Sequence, residues 1–376
     1  MTSVDSESRK AFHELLDLLR ELDTRFLGPE WLIGSPADVG EGLRAVMHLL
    51  QGGLVTYFED DPDHPVFRRI VSPTRKFTGD NADTVYYDAP VSSARAYRVR
   101  GNTAGAVYFS LTVEAGAQDG RFGTKTTGAI NDTELDIGAD GSFEVVVGGT
   151  PRPKNWLALP DDAARITTRH YYEDVQPRAA NTTPCIPLHI EVVGDVPTPP
   201  TYSDASVAAG IRRVINFVET RTLGMGKPGT REQPPFVSKI PNQFPPPVKP
   251  GDFALAARDA AYSMAMYMIG PDDALIMRGR WPRCRCANVS LWNRHMQTFD
   301  YAHRQVSINR KQTQLESDGS FRMVIAHRDP GVPNWLDTEG RGFGMVFWRF
   351  MLPEGQIETL QAEVVPWGSL RQASGG

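Results

Sequence analysis

The chain has 376 residues, with 40 Lys+Arg against 45 Asp+Glu and a formal net charge of -5. A pI near 5.9 argues against a nucleic-acid partner, which calls for a basic surface. The length suits two domains or one large composite, and a 40% hydrophobic, 23% charged composition supplies an ordinary globular core.

The first ten residues are polar and carry both charge signs, with no apolar segment behind them. They read as no secretory signal. No run of about 18 apolar residues exists to span a membrane. The cysteines are Cys185, Cys284 and Cys286, too few for a disulfide framework and suited to a reducing cytoplasm. Cys284 and Cys286 lack the further ligands a zinc site needs and read as small buried hydrophobes.

Phe12, Leu15, Leu16, Leu19, Leu22 and Phe26 recur at helical spacing before Gly28. Ser35, Pro36 and Asp38 mark the start of a second helix that runs toward Gly52-Gly53. From Phe77 onward, short runs rich in Val, Tyr, Phe and Thr alternate with turn residues, as in Tyr97 to Arg100 and Ile166 to Tyr172. This texture predicts half-buried antiparallel strands. A helix is expected over Ser203 to Thr222. Proline is dense from Lys227 to Pro250, which predicts an extended connector or a surface strap. Asp252 then reads as the cap of an Ala- and Met-rich helix from Phe253 to Ile269.

The chain also says one thing twice. Arg100-Gly101, Asp140-Gly141-Ser142-Phe143, Asn155-Trp156-Leu157 and Arg169 are matched by Arg278-Gly279, Asp318-Gly319-Ser320-Phe321, Asn334-Trp335-Leu336 and Arg349. Such self-similarity predicts two units of one kind. The Asp-Gly pairs read as hairpin turns, because glycine accepts positive φ. The expected organisation is a helical region over 1–75, a first sandwich unit over 76–200, helix, Pro-rich connector and helix over 201–271, and a second sandwich unit over 272–376.

Chemistry-bearing residues gather in two places. The first unit opens on Asp80-Asn81-Ala82-Asp83-Thr84-Val85-Tyr86. Asp80 and Asp83 could form an acid/base pair if burial separates their pKa values, with Asn81 and Tyr86 orienting a substrate. A local turn held by Asx side chains explains the same residues. The second unit carries Asp300-Tyr301-Ala302-His303-Arg304-Gln305, then Ser307 and Asn309, and later His327-Arg328-Asp329. On a strand, Tyr301, His303 and Gln305 would share one face. His303 and His327 are the leading acid/base candidates, because imidazole titrates near neutral pH. Asp329 or Asp337 could orient one of them, and Arg304 or Arg328 could hold an anion. A structural ion-pair network accounts for the His-Arg-Asp run equally well. Trp292, with Trp281 and Trp348, could line an aromatic pocket.

At these residues the sequence resembles a bacterial family catalogued as domain of unknown function 1214. The resemblance rests on Gly79 to Thr84, on Asp140 to Phe143 with Asn155-Trp156-Leu157, and on Tyr301 to Asn309 with His327 to Asp337. It implies a β-sandwich of jelly-roll type for the repeated part and carries no established reaction.

The expected fold is mainly β with helical additions (α+β): two repeated antiparallel β-sandwich, jelly-roll-like units with N-terminal helices and a Pro-rich connector. The expected function is a cytoplasmic enzyme doing hydrolase- or lyase-type acid/base chemistry on a small, partly apolar substrate that can carry an anionic group. The alternative is a non-catalytic β-sandwich that binds a carbohydrate or lipid-like ligand. No organic cofactor and no metal are expected, since no fingerprint or ligand spacing for either is seen. The expected partners are a small-molecule substrate and a second copy in a homo-oligomer, with no nucleic acid and no membrane.

Overall fold

The helices start where their caps place them. The computed structural model describes residues 4–116, 118–230, 232–251 and 255–370. Helix α1 (Glu7–Glu21) begins after Ser6, whose hydroxyl accepts from Arg9 N. Helix α2 (Pro36–Gly53) begins after Ser35, whose hydroxyl accepts from Asp38 N. Helix α3 (Asp204–Thr220) follows a capping box of Ser203 and Ser206. The three pack around Leu22, Phe26, Leu49 and Phe217, with Phe77 inserted from the chain that enters the first sandwich.

The first sandwich is built from β1 (Arg68–Arg69), β2 (Thr84–Pro90), β3 (Tyr97–Asn102), β4 (Tyr108–Ala115), β5 (Lys125–Asn131), β6 (Ser142–Val147), β7 (Trp156–Leu157), β8 (Ala163–Tyr171) and β9 (Leu188–Val192). One sheet runs β1-β2-β8-β4-β5 and the other β7-β6-β3-β9. The second sandwich uses β10 (Ala260–Met268), β11 (Asp273–Gly279), β12 (Cys286–Trp292), β13 (Ser307–Asn309), β14 (Phe321–Ala326), β15 (Trp335–Asp337), β16 (Phe343–Met351) and β17 (Gln361–Pro366). Its sheets run β10-β16-β12-β13 and β15-β14-β11-β17. Apart from the short edge strand β1, the two orders are the same order, element for element. Each unit also has the same single parallel pair, β6 with β7 and β14 with β15. The duplication read in the sequence is a duplicated fold.

The repeated residues hold equivalent joints. Gly101 pairs with Phe143 and Gly279 with Phe321. A Cβ on Gly101 would lie 2.6 Å from the Phe143 ring, so glycine makes room for the aromatic opposite. Asp140 Oδ1 accepts from Ser142 N and Oγ at 3.0 and 2.6 Å, and Asp318 Oδ1 from Ser320 N and Oγ at 2.9 and 2.6 Å. These turns cross from one sheet to the other, since β5 and β6 lie in different sheets, as do β13 and β14. They are therefore not the hairpins expected from Asp-Gly. Asn155 and Asn334 both take left-handed φ, 47° and 57°. The Asn334 amide donates to the carbonyls of Gln314 and Arg322 and its oxygen accepts from Gln314 N. Asn155 does the same with Asp136 and Glu144. Asn334→Ala removes three bonds at a buried joint and puts alanine at positive φ. We expect a loss of about 3 kcal/mol in urea unfolding, with the slope unchanged.

The segment expected to be a helix from Phe253 to Ile269 is corrected. Asp252, Phe253 and Ala254 lie outside the described residues, and Ala260–Met268 is strand β10. Alternation decides it. Ala261, Ala265 and Tyr267 enter the second core, while Tyr262 and Met264 face the layer between the sandwiches. The Pro-rich tract is a strap along the free edge of β10. Met264 N donates to Phe236 O, and Val248 and Tyr262 exchange both backbone bonds. Proline suits this place, where few donors are needed and a bare edge is covered.

Candidate active site at the junction of the sandwiches

The segment from Lys76 to Asp83 leaves the helical layer and plugs into the second sandwich before β2 begins. Gly79 N donates to Met296 O at 2.8 Å. Its φ is 80°, and a Cβ there would lie 2.9 Å from the Trp292 ring, so the path requires glycine. Lys76 is buried and donates to the carbonyls of Thr298 and Phe299 at 3.0 and 2.6 Å. Its ammonium sits 3.9 Å from the centroid of the Tyr301 ring. Burial pulls the Lys76 amine below the usual lysine range and lifts Asp80 above the usual carboxylate range. Asp80 Oδ1 accepts from Thr298 N at 2.8 Å, and Oδ2 has no partner among the described residues.

Asp83 is at the centre. It is 2% exposed. Its Oδ2 accepts from Asn288 Nδ2 at 2.7 Å and its Oδ1 from Asn309 Nδ2 at 3.0 Å. Asn288 also donates to Asn81 Oδ1 at 2.6 Å. Burial pushes the Asp83 carboxyl up to about 6, against the pull of these two carboxamides. A cavity of about 10 Å³ adjoins it, lined by Asp83, Tyr172, Cys286, Asn288 and Arg349 among others. That volume holds one water.

The contact is reciprocal. Asp83 precedes β2 and bonds to the second sandwich, while Asp259 precedes β10 and accepts from Tyr108 Oη and Asn131 Nδ2 of the first, at 2.7 and 2.9 Å. Tyr172 N donates to Asp83 O and Leu352 N to Asp259 O. Arg349 Nη2 donates to Gly79 O and Arg169 Nη2 to Leu255 O, both at 3.0 Å. The two ends differ in burial: Asp259 is half-exposed and Asp83 is sealed.

The residues singled out from sequence divide into two groups. Asp80, Asn81, Asp83, Asn309 and Trp292 converge here, with Trp292 Nε1 donating to Asp80 O at 3.0 Å. Tyr301 lies beneath Lys76, and Tyr86 packs edge-on to Tyr171. The others lie apart from this cluster. His303 has a side chain 79% exposed and shares a hydrogen bond with Asp300 at 2.8 Å. His327 is half-buried, with Nδ1 2.6 Å from Thr338 Oγ1. Arg304 pairs with Asp337, Arg328 with Asp272, and Asp329 accepts from Gly331 N. None of these five lines the cavity. The segment with Tyr301, His303 and Gln305 is a turn rather than a strand: His303 N and Arg304 N both return to Asp300 O. Sequence reasoning passed over Asn288, Tyr172 and Arg349. Arg349 did carry a signal, its place in the repeat, and that signal read as scaffold.

The family model described as "Protein of unknown function (DUF1214)" matches residues 81–174 and 288–355. The chain is similar to this family over these two segments. Both matched segments open on a residue of the junction, Asn81 and Asn288. A solved structure of an uncharacterized protein from Burkholderia cenocepacia is 26% identical, with a TM-score of 0.82, covering 96% of this chain and 98% of that one. The VPA0106 protein from Vibrio parahaemolyticus is 14% identical with a TM-score of 0.49, over 85% of this chain and 100% of that one. Comparison with curated proteins finds no match. Among the described residues, no helix is long and apolar enough to cross a membrane.

Proposed function

We propose that the chain is an enzyme of hydrolase or lyase type whose acid/base group is Asp83, working where the two sandwiches meet. The observation that carries this is a sealed carboxyl poised near 6 beside a water-sized cavity. Burial that moves an acid toward the working pH is what proton transfer in catalysis needs. The aromatic layer of Trp292, Phe347 and Tyr171 next to it suits a small, partly apolar substrate. The cavity takes a water but no organic molecule, so substrate enters by parting the junction. No organic cofactor is invoked. We place the chain in the cytoplasm, on the strength of its three free cysteines.

A second reading, a binding protein without turnover, is favoured by one observation. Both Asp83 oxygens are already held by carboxamides. A panel of small esters, lactones, amides and hydroxy acids separates the two. Turnover with a pH limb near 6, reduced about 10²- to 10⁴-fold in Asp83→Asn, supports the enzyme. Turnover that survives Asp83→Asn removes Asp83 from the chemistry, and saturable binding with no turnover favours the second reading.

A further inference from the structure

Arg349, like the buried Arg221, has no carboxylate partner among the described residues, unlike Arg165 and Arg169. Arg165 has Asp60 at 3.0 Å and Asp88 at 2.5 Å. Arg169, its repeat partner, has Glu114 at 3.5 Å and donates to Thr112 Oγ1. Arg349 is 4% exposed and donates from Nη2 to two carbonyls only, Gly79 O and Asp80 O. Among the described residues no carboxylate pairs with it, and its Nη1 has no partner. A buried charge with no carboxylate bonded to it is costly, and Asp80 and Asp83 act on this guanidinium through space only. Phe347 and Trp292 lie 4.3 and 4.9 Å from it and fix its plane without bonding it. It lines the junction cavity with Asn288 and with Tyr172, whose hydroxyl also lacks a partner.

We infer that Arg349, with Tyr172 and Asn288, forms a site for a monoatomic anion of about the size of a water molecule, and that Asp83 takes up a proton when it binds. The inference rests on the reading of this junction as the working site and names what that site holds. The cavity size sets the ligand size. The proton follows from charge. Among the described residues that line the cavity, ionised Asp83 supplies the only negative charge and would repel a second, whereas neutral Asp83 leaves Arg349 uncompensated. Burial lifts Asp83 to about 6, so this exchange falls near neutral pH. The other groups around Asp83 do not substitute for it. Glu173 is held by Arg310 at 2.6 Å. Asp80 is lifted by burial but lies closest in charge to Lys76. The Cys286 thiol and the Tyr171 phenol are raised well above their usual ranges, and Tyr172 is pushed up to about 12. All three stay neutral where Asp83 titrates.

The test is calorimetric titration of the full chain with sodium fluoride and with sodium chloride at pH 5 and pH 7.5. Sodium sulfate, too large for the cavity, holds the ionic strength constant. We expect saturable binding at pH 5 with little proton uptake, weaker binding at pH 7.5 with uptake approaching one proton, read from buffers of different ionisation enthalpy, and affinity falling about tenfold per pH unit above 6. Arg349→Gln should lose the response. Because that variant risks misfolding, Asp83→Asn is the second arm: it should bind at both pH values with no proton uptake. Absence of saturable binding in the wild-type chain, or pH dependence that persists in Asp83→Asn, would overturn the inference. Turnover lost in Asp83→Asn together with no anion binding leaves the catalytic proposal and removes this one. Proton-linked binding without turnover of any substrate supports this one and removes the other.

Discussion

Asp83→Asn should lower turnover about 10²- to 10⁴-fold while becoming progressively more stable than the wild-type chain as pH rises from 4 to 7. The sign follows from linkage. The folded carboxyl titrates at about 6 and the ordinary value is 3.8. Below 3.8 both folded and unfolded chains hold the proton, and burial costs nothing through this group. Between 3.8 and 6 the folded chain keeps a proton that the unfolded chain releases, so stability falls as pH rises. Above 6 the full cost remains, about 3 kcal/mol. Asparagine carries no charge to bury, so the difference between variant and wild type should widen by about that much across the window. Stability gained where activity is lost is the expected signature of a working residue held at a structural cost. Parallel urea unfolding at pH 4 and pH 7 reads it directly. A constant difference between the two chains would mean that Asp83 is ionised at no cost.

The second large effect comes from histidines that the fold keeps neutral. His170 is 0% exposed, and neither ring nitrogen makes a well-formed hydrogen bond. Burial pushes it down to about 4, only weakly opposed by the Asn102 backbone. His295 is pushed down to about 4 by burial and then by Arg294. His48 reaches about 4 by burial and by Arg44, and it accepts from Lys76 N at the neck of the Asp83 segment. The sign is opposite to that of Asp83. Between 6.5 and 4 the unfolded chain binds protons that the folded chain refuses, so stability falls as pH drops through this window and is intact above it. For the fully buried His170 ring the loss is about 3 kcal/mol. His170→Phe should remove its share of the acid sensitivity and stabilise the chain by about 1 to 3 kcal/mol at neutral pH, because two unsatisfied nitrogens disappear. The repeat itself supports the substitution, since Arg349-Phe350 stands where the first unit has Arg169-His170, and Phe350 is fully buried. Thermal midpoints at pH 5 and pH 7.5 check both parts, and a His170→Phe chain no more acid-resistant than wild type would contradict the assignment.

What was legible from sequence and what was not follow from the range of the forces. Helix caps are local, and Ser35-Pro36 and Ser203 stand where the helices start. The repeat is local in each copy, and its Gly101–Phe143 and Asn155 joints recur at Gly279–Phe321 and Asn334. Strand β10 was hidden because alanine and methionine favour helices in isolation, while its pairing with β16 and the Pro-rich strap overrides that preference. The site was half legible. Asp80, Asn81, Asp83 and Asn309 are dense in polar groups and could be read as candidates. The histidines drew attention because imidazole titrates near neutral pH unaided. Asp83 does so only through burial against Asn288 and Asn309, more than 200 residues away in the chain, and burial by a distant partner leaves no local trace.

The titration of the Asp83 carboxyl itself tests the central claim most directly. In the chain labelled with ¹³C at aspartate side-chain carboxyls, the resonance absent from Asp83→Asn identifies the group. Followed from pH 3 to pH 8, it should move with a midpoint near 6. A midpoint at or below 4 would show an ordinary, permanently ionised carboxylate, and the junction would then be a joint between two sandwiches and nothing more.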